Sequence, residues 1–217
     1  ITPETLEEAV NSSLKRLNTD YIDIYQLHWP NRGSYHFRQY WNYKAPKHQA
    51  QDTDEHFAAI SEHLDGLVKA GKIRHWGLSN ESAWGMGKWV SHSAGKTKPI
   101  SIQNEYSLLC RLFDTDLGEL CVNENIGLLA YSPLGFGVLT GKYFGQTNVD
   151  NARLTLFPRM KRYASEETQT AAKKYLDLAN KHNLSLTQVA LAFINQQSFV
   201  TSTIVGATNL KQLEENI

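Results

Sequence analysis

The spacing of apolar residues along the chain changes in a regular alternation. Leu6, Val10, Leu14 and Leu17 recur at helical intervals behind Thr2-Pro3-Glu4, which offers an N-cap, a first-turn proline and an early acid. Residues 21–29, YIDIYQLHW, read as a short buried strand ending at Pro30. Phe57, Ile60, Leu64, Leu67 and Val68 mark a second helix stopped at Gly71. Strands at 74–80, 100–106 and 127–133 then alternate with helices around 82–94 and 114–124. Ser165 caps a helix running to about His182, and Ser185 with Gln188 forms a capping box ahead of Val189, Ala190, Phe193 and Ile194. A strand at 201–207 and a last helical segment close the pattern. Two long irregular stretches, 31–54 and 134–164, interrupt it, and such length inside a compact domain points to functional loops.

The strands are continuous apolar runs, each separated from the next by a helix. That predicts an α/β fold with a parallel sheet covered by helices, either doubly wound and open or closed as a (β/α)8 barrel. Both architectures bind ligands at the C-terminal strand ends. His28, Ser79-Asn80, Gln103-Asn104, Tyr131-Ser132 and Gly206 collect there. No linker or internal repeat divides residues 1–217, which read as a single domain. Ile1 is not a Met and the last helix stops after about two turns, so both ends read as cut.

Composition narrows the chemistry. The 22 basic and 22 acidic residues cancel, which gives no reason to expect nucleic acid or an anionic membrane as partner. No apolar run reaches membrane-spanning length. Two cysteines, Cys110 and Cys121, fit a reducing, cytoplasmic setting better than a disulfide framework. Gly135, Gly137 and Gly141 lack the spacing of a dinucleotide fingerprint, and Gly95-Lys96-Thr97 fails as a P-loop because Val90 stands where a glycine is required. The eight histidines form no H-E-x-x-H pair, so no metal site is expected. No G-x-S-x-G elbow supports serine hydrolysis.

Five segments occur in order, each on a strand end: RLNTDYIDIYQLHWP, GKIRHWGLSN, IQNEYSLL, LLAYSPLGFGVLTGKY and IVGATNLKQLEENI. Together they resemble the aldo-keto reductase superfamily, most closely its Tas-type bacterial NADP(H)-dependent branch, with the potassium-channel β subunits as more distant relatives. The resemblance covers essentially the whole chain. It implies a (β/α)8 TIM barrel of which this chain holds about five βα units, strands four to eight. The family's catalytic Asp and Tyr after the second strand, and its Lys on the third, then have no counterpart here.

The resemblance also implies roles. His28 matches the active-site histidine that orients a substrate carbonyl, and Tyr131 the aromatic residue that stacks on the nicotinamide. Ser79, Asn80 and Gln103 match the residues that bind its carboxamide. Ser132, Leu134, Gly135 and Lys142 fall where the loop after strand seven meets the pyrophosphate. Arg153, Arg159 and Arg162 lie further along that loop, where one of them would cover the phosphates. Gly206, Ala207, Thr208, Gln212, Glu215 and Asn216 match the adenosine end, with Thr208 or Asn209 capping the helix that follows.

Many relatives carry an Arg where Gln212 stands and a Lys near Gly206; Tas-like relatives share the Gln, so NADPH (NADP) is the expected cofactor. The implied reaction in the intact protein is reduction of a small-molecule aldehyde or ketone, with the chain alone inactive for want of a proton donor and unstable at its open sheet edges. The alternative is a nucleotide-binding, redox-sensing subunit without turnover. Tyr35, Phe37, Tyr40, Trp41 and Tyr43 would overhang a substrate pocket, and Trp29 and Trp76 would line it or belong to the core. The sequence sets neither the carbonyl substrate nor the oligomeric state.

Overall fold

A computed structural model describes residues 1–36, 42–45, 50–145, 149–157 and 161–217. Helix α1 (Pro3–Leu17) starts at a Thr2 cap reinforced by Thr5 and stops at Asn18 in the left-handed region, φ 53°. Only Leu6 and Val10 of its apolar stripe are buried. Strand β1 (Ile22–Leu27) leads to α2 (Ala50–Lys69), and β2 (Ile73–Ser79) to α3 (Ala83–His92). Strand β3 (Ser101–Glu105), α4 (Asp116–Glu124), β4 (Gly127–Tyr131), the short α5 (Arg153–Leu156), α6 (Glu166–Lys181), α7 (Leu186–Asn195), β5 (Val200–Thr203) and α8 (Leu210–Asn216) complete the order. The strands form a five-stranded sheet in chain order, and the registers β1–β2, β2–β3 and β4–β5 are parallel.

Contacts divide the chain into two compact units, residues 1–103 with 116–127 and residues 104–115 with 128–217. In the first, Leu6, Phe57, Ile60, Leu64, Trp76 and Trp89 are buried among the helices and strands. Trp76 is core: it is fully buried, donates Nε1–H to Thr97 O at 3.2 Å, and meets Trp89 edge-on at 5.8 Å. Gly77 sits between Gln26 and Ser101 in register, and a Cβ there would lie 2.3 Å from Ser101 Oγ. In the second unit Val138, Leu139, Tyr163, Ala172, Leu186 and Ala190 form the core. The Ser185–Gln188 capping box is present, and Ser165 caps α6.

Three expectations change. Helix α2 begins at Ala50, inside the stretch read as loop, because its first turn is polar and carries no apolar periodicity to reveal it. Strand β5 is only four residues long and largely exposed, so Gly206 lies beyond its end. Burial of the strands is uneven: β2 and β3 are mostly buried, while Ile24 of β1 is 43% exposed. A buried parallel strand and a half-exposed one can share the same apolar composition, so the sequence could not rank them.

Candidate functional site

In the first unit the polar residues at the strand ends are tied to the backbone of their neighbours. Asn80 follows β2 at φ 56°, a conformation that asparagine tolerates better than most residues. Its N–H donates to Gln103 O at 3.1 Å, and its Nδ2 donates to His28 O at 3.0 Å and Ser79 Oγ at 3.1 Å. Ser79 Oγ donates to Gln103 O at 2.8 Å, and Ser34 Oγ to Asn80 O at 3.0 Å. The structure thus brings Ser79, Asn80, Gln103 and the backbone of His28 together. The His28 imidazole is exposed and, like the Gln103 amide, meets no partner among the described residues. Ser79 and Asn80 act here as stitching as well as carboxamide candidates, since both are buried and already bonded.

Directly after Asn80, the Glu81 carboxylate is 2% exposed and accepts from the Arg32 fork, from Ser82 N at 2.7 Å and from Trp89 Nε1 at 3.2 Å. The Arg32 guanidinium lies 5.0 Å over the Trp84 ring. A cavity of about 210 Å³ beside this pair has Trp29, His56 and Phe57 in its wall, and one of about 460 Å³ has Tyr35, Tyr43 and Trp84. Burial lowers the pKa of His56. Phe37, Tyr40 and Trp41, named above with this loop, lie outside the described residues.

In the second unit Tyr131 ends β4 and Ser132 follows at φ 57°. The backbone then turns through Gly135, Phe136 and Gly137, all at positive φ. Lys142 folds back over this turn: a Cβ on Gly137 would lie 2.5 Å from its Cε and 2.7 Å from its Nζ. Lys142 is half-buried, has no carboxylate partner among the described residues, and its pKa is lowered by burial. Leu134 packs against the core of this unit. The exposed Arg153 lies 4.9 Å over the Phe136 ring. Arg162 is held by Glu105 at 2.9 Å, and Arg159 lies outside the described residues.

At the end of the chain Asn209 caps α8 by accepting from Gln212 N at 3.0 Å. The Gln212 side chain turns inward on its own loop, accepting from Thr208 N at 2.9 Å and Thr208 Oγ1 at 3.0 Å. Asn216 Nδ2 reaches Gly206 O at 3.4 Å, and Glu215 is exposed on the same helix. These residues share one exposed loop and helix, whose polar groups partly satisfy one another.

A profile of the Aldo/keto reductase family matches residues 1–217. This chain belongs to that family. It is 45% identical to Protein tas of Escherichia coli (strain K12) over 220 residues, covering 99% of this chain and 61% of that protein. It is 38% identical to an aldo-keto reductase of Babesia bovis over 236 residues, covering 100% of this chain and 80% of that protein. The NADH-specific methylglyoxal reductase of Escherichia coli (strain K12) is 29% identical over 220 residues, with 60% of its length covered. Members of the family are oxidoreductases that use a nicotinamide cofactor. Among the described residues of this aldo/keto reductase chain no helix is long and apolar enough to cross a membrane, and no three His, Cys, Asp or Glu gather as a metal site.

Two residues escaped the sequence reading. Glu81 follows the end of β2 in Ser79-Asn80-Glu81, Glu105 ends β3 in Gln103-Asn104-Glu105, and each is buried on an arginine. The repeated Asn-Glu pair right after an apolar strand was the available signal, since an acid placed there is buried unless the chain turns out at once.

Proposed function

We propose that the intact protein reduces aldehydes or ketones to alcohols with NADPH. The carrying observation is the family match over residues 1–217, supported by the polar residues Ser79, Asn80 and Gln103 that the sheet brings together. NADPH, when bound, supplies the hydride. The half-buried Lys142, which has the Tyr143 ring but no carboxylate beside it among the described residues, fits a polyanion next to the glycine turn, because an anion returns to its ammonium what desolvation removed. In this reading the backbone of Ser132, Leu134 and Gly135 joins Lys142 at the pyrophosphate, with Arg153 across the loop.

Tyr131 holds one face of the nicotinamide and thereby fixes the direction of hydride delivery. The Gln103 amide, which offers a donor and an acceptor, binds the carboxamide beside Ser79 and Asn80. The exposed His28 imidazole orients the substrate carbonyl. Gly206, Thr208, Gln212, Glu215 and Asn216 receive the adenosine end. Proton donation is assigned to groups of the intact protein other than these, so residues 1–217 alone are expected not to turn over.

The test is turnover of 4-nitrobenzaldehyde by the intact protein, followed as loss of NADPH absorbance. Turnover that falls steeply in His28→Ala supports the reading. NADPH binding with no turnover selects a redox-sensing subunit instead, and absence of binding removes both. A second reading of the cofactor rests on Gln212, whose side chain is spent on Thr208 and offers no cation to a 2′-phosphate. Equal affinity for NADH and NADPH would favour it.

A further inference from the structure

Tyr143 touches the segments of both cations assigned to the pyrophosphate, Lys142 and Arg153. Its half-buried ring packs against the core of the second unit, and Lys142 Nζ lies 5.4 Å from the centre of that ring. Its hydroxyl is used twice: it donates to Phe136 O at 3.1 Å and accepts from Leu154 N at 3.3 Å. Leu154 is the second residue of α5, where a backbone N–H has no partner inside the helix, and Ala152 ahead of that helix gives no side-chain cap. The phenol supplies the acceptor there. Phe136, at φ 56° between two glycines that also have positive φ, presents its carbonyl to this hydroxyl and its ring to Arg153, whose guanidinium lies 4.9 Å over it. Arg153 is exposed and meets no carboxylate among the described residues, whereas Arg162 is already held by Glu105.

We infer that Tyr143 is a positioning residue: its hydroxyl ties the turn that carries Arg153 to the glycine turn under Lys142, so that both cations face one pyrophosphate. This rests on the reading that the pyrophosphate lies at Lys142. An exposed arginine is rich in rotamers, so its reach is set by where the backbone puts its Cα. The tie falls on Leu154, the next residue, and a hydrogen bond tolerates little change in length or angle. Phenylalanine at 143 keeps the ring, its packing and its contact with Lys142, and loses both hydrogen bonds. Arg153 then keeps its charge and loses its fixed base.

The experiment measures NADPH binding to the intact protein by fluorescence, at equilibrium and as a release rate, in Tyr143→Phe, Arg153→Met, the double variant and Lys142→Met. Arg153→Met is expected to release NADPH roughly tenfold faster, because changes at a binding site act mostly on dissociation. Tyr143→Phe misplaces that cation without removing it, and is expected to release NADPH about threefold faster. Since the hydroxyl acts through Arg153, the double variant should be no faster than Arg153→Met alone. Release from Tyr143→Phe should also depend less on salt, because one cation no longer faces the phosphates. A merely looser fold would leave that dependence as it is in the wild type.

Multiplying effects, or wild-type release in Arg153→Met, overturn the proposal, and the second criterion stands even if Tyr143→Phe does not fold. A lower melting temperature in Tyr143→Phe with unchanged release, or with an unchanged salt dependence, also overturns it and leaves a structural role only. The underlying reading fails separately, when Lys142→Met binds NADPH as the wild type does.

Discussion

Each unit of the chain contains a buried glutamate paired with an arginine, and the two pairs are built alike. Glu81 stands two residues beyond β2 and Glu105 is the last residue of β3, with side chains 2% and 1% exposed. Their arginines, Arg32 and Arg162, are 14% and 13% exposed and come from the two stretches that the sequence marks as long loops. Each glutamate takes one further hydrogen bond from a buried aromatic side chain, the Trp89 indole or the Tyr163 hydroxyl. The difference lies in what the arginine touches next. Arg32 lies over Trp84 and Phe57, whereas Arg162 lies 5.3 Å over the ring of Phe136, in the turn that follows β4. The same device thus anchors a loop in each unit, against α3 in one and against the turn after β4 in the other.

The anchor role predicts the largest effect. Replacing Glu81 by Leu leaves the Arg32 charge buried without its partner, which should cost about 3–5 kcal/mol of stability. Denaturant unfolding of the intact protein measures it. The fraction that remains folded should bind NADPH with unchanged affinity. A loss of NADPH affinity in that folded fraction would tie the Arg32 anchor to cofactor binding instead.

These glutamates also show what the sequence could reveal and what it could not. Features carried by local pattern were legible: the Ser185–Gln188 capping box, the alternation of five strands with helices, and the strand-end placement of Ser79 and Asn80. The start of α2 was not, because a polar first turn looks the same in a loop and in a solvated helix. Trp76 could be read as pocket wall or core, and only its contacts with Trp89 and Thr97 decided it. Arg162 read only as one of three candidates for a phosphate cover, and its pairing with Glu105, 57 residues away in sequence, was not legible. Pairings of that range follow from where the sheet places strand ends, which no local spacing encodes.

The aromatic donors give a middle-sized test of the likeness. Tyr163→Phe removes a buried hydroxyl from a carboxylate, and Trp89→Phe removes an indole N–H from the other. Hydrogen bonds to charged groups contribute about 1.5–3 kcal/mol, so Tyr163→Phe should lower unfolding stability by about that amount. Trp89→Phe should cost more, because it also shrinks a core ring that packs on Phe57 at 4.6 Å and on Trp76. Equal losses from the two would mean that the ring, not the hydrogen bond, is irrelevant at position 89.

The smallest expected effect on stability comes from a cation that has no such partner. Lys142 meets no carboxylate among the described residues and is held above Gly137 with its pKa lowered by burial. Lys142→Met should change folding stability by no more than about 0.5 kcal/mol, since no ion pair is broken. It should nevertheless weaken NADPH binding roughly tenfold, the loss expected for one charge-assisted contact to phosphate. The sign of the accompanying pH effect follows from the lowered pKa. Free protein gives up the lysine proton earlier in an alkaline titration than an ordinary lysine, and a bound polyanion restores it. Between the two pKa values, binding therefore takes up a proton, and affinity falls as pH rises through that window. Calorimetry in alkaline buffers of different ionisation enthalpy would register the uptake in the wild-type protein and its absence in Lys142→Met. No uptake in the wild type would place the pyrophosphate elsewhere. Uptake that persists in the variant would assign the proton to another group. Either result would leave the paired arginines, not the unpaired lysine, as the cations to examine.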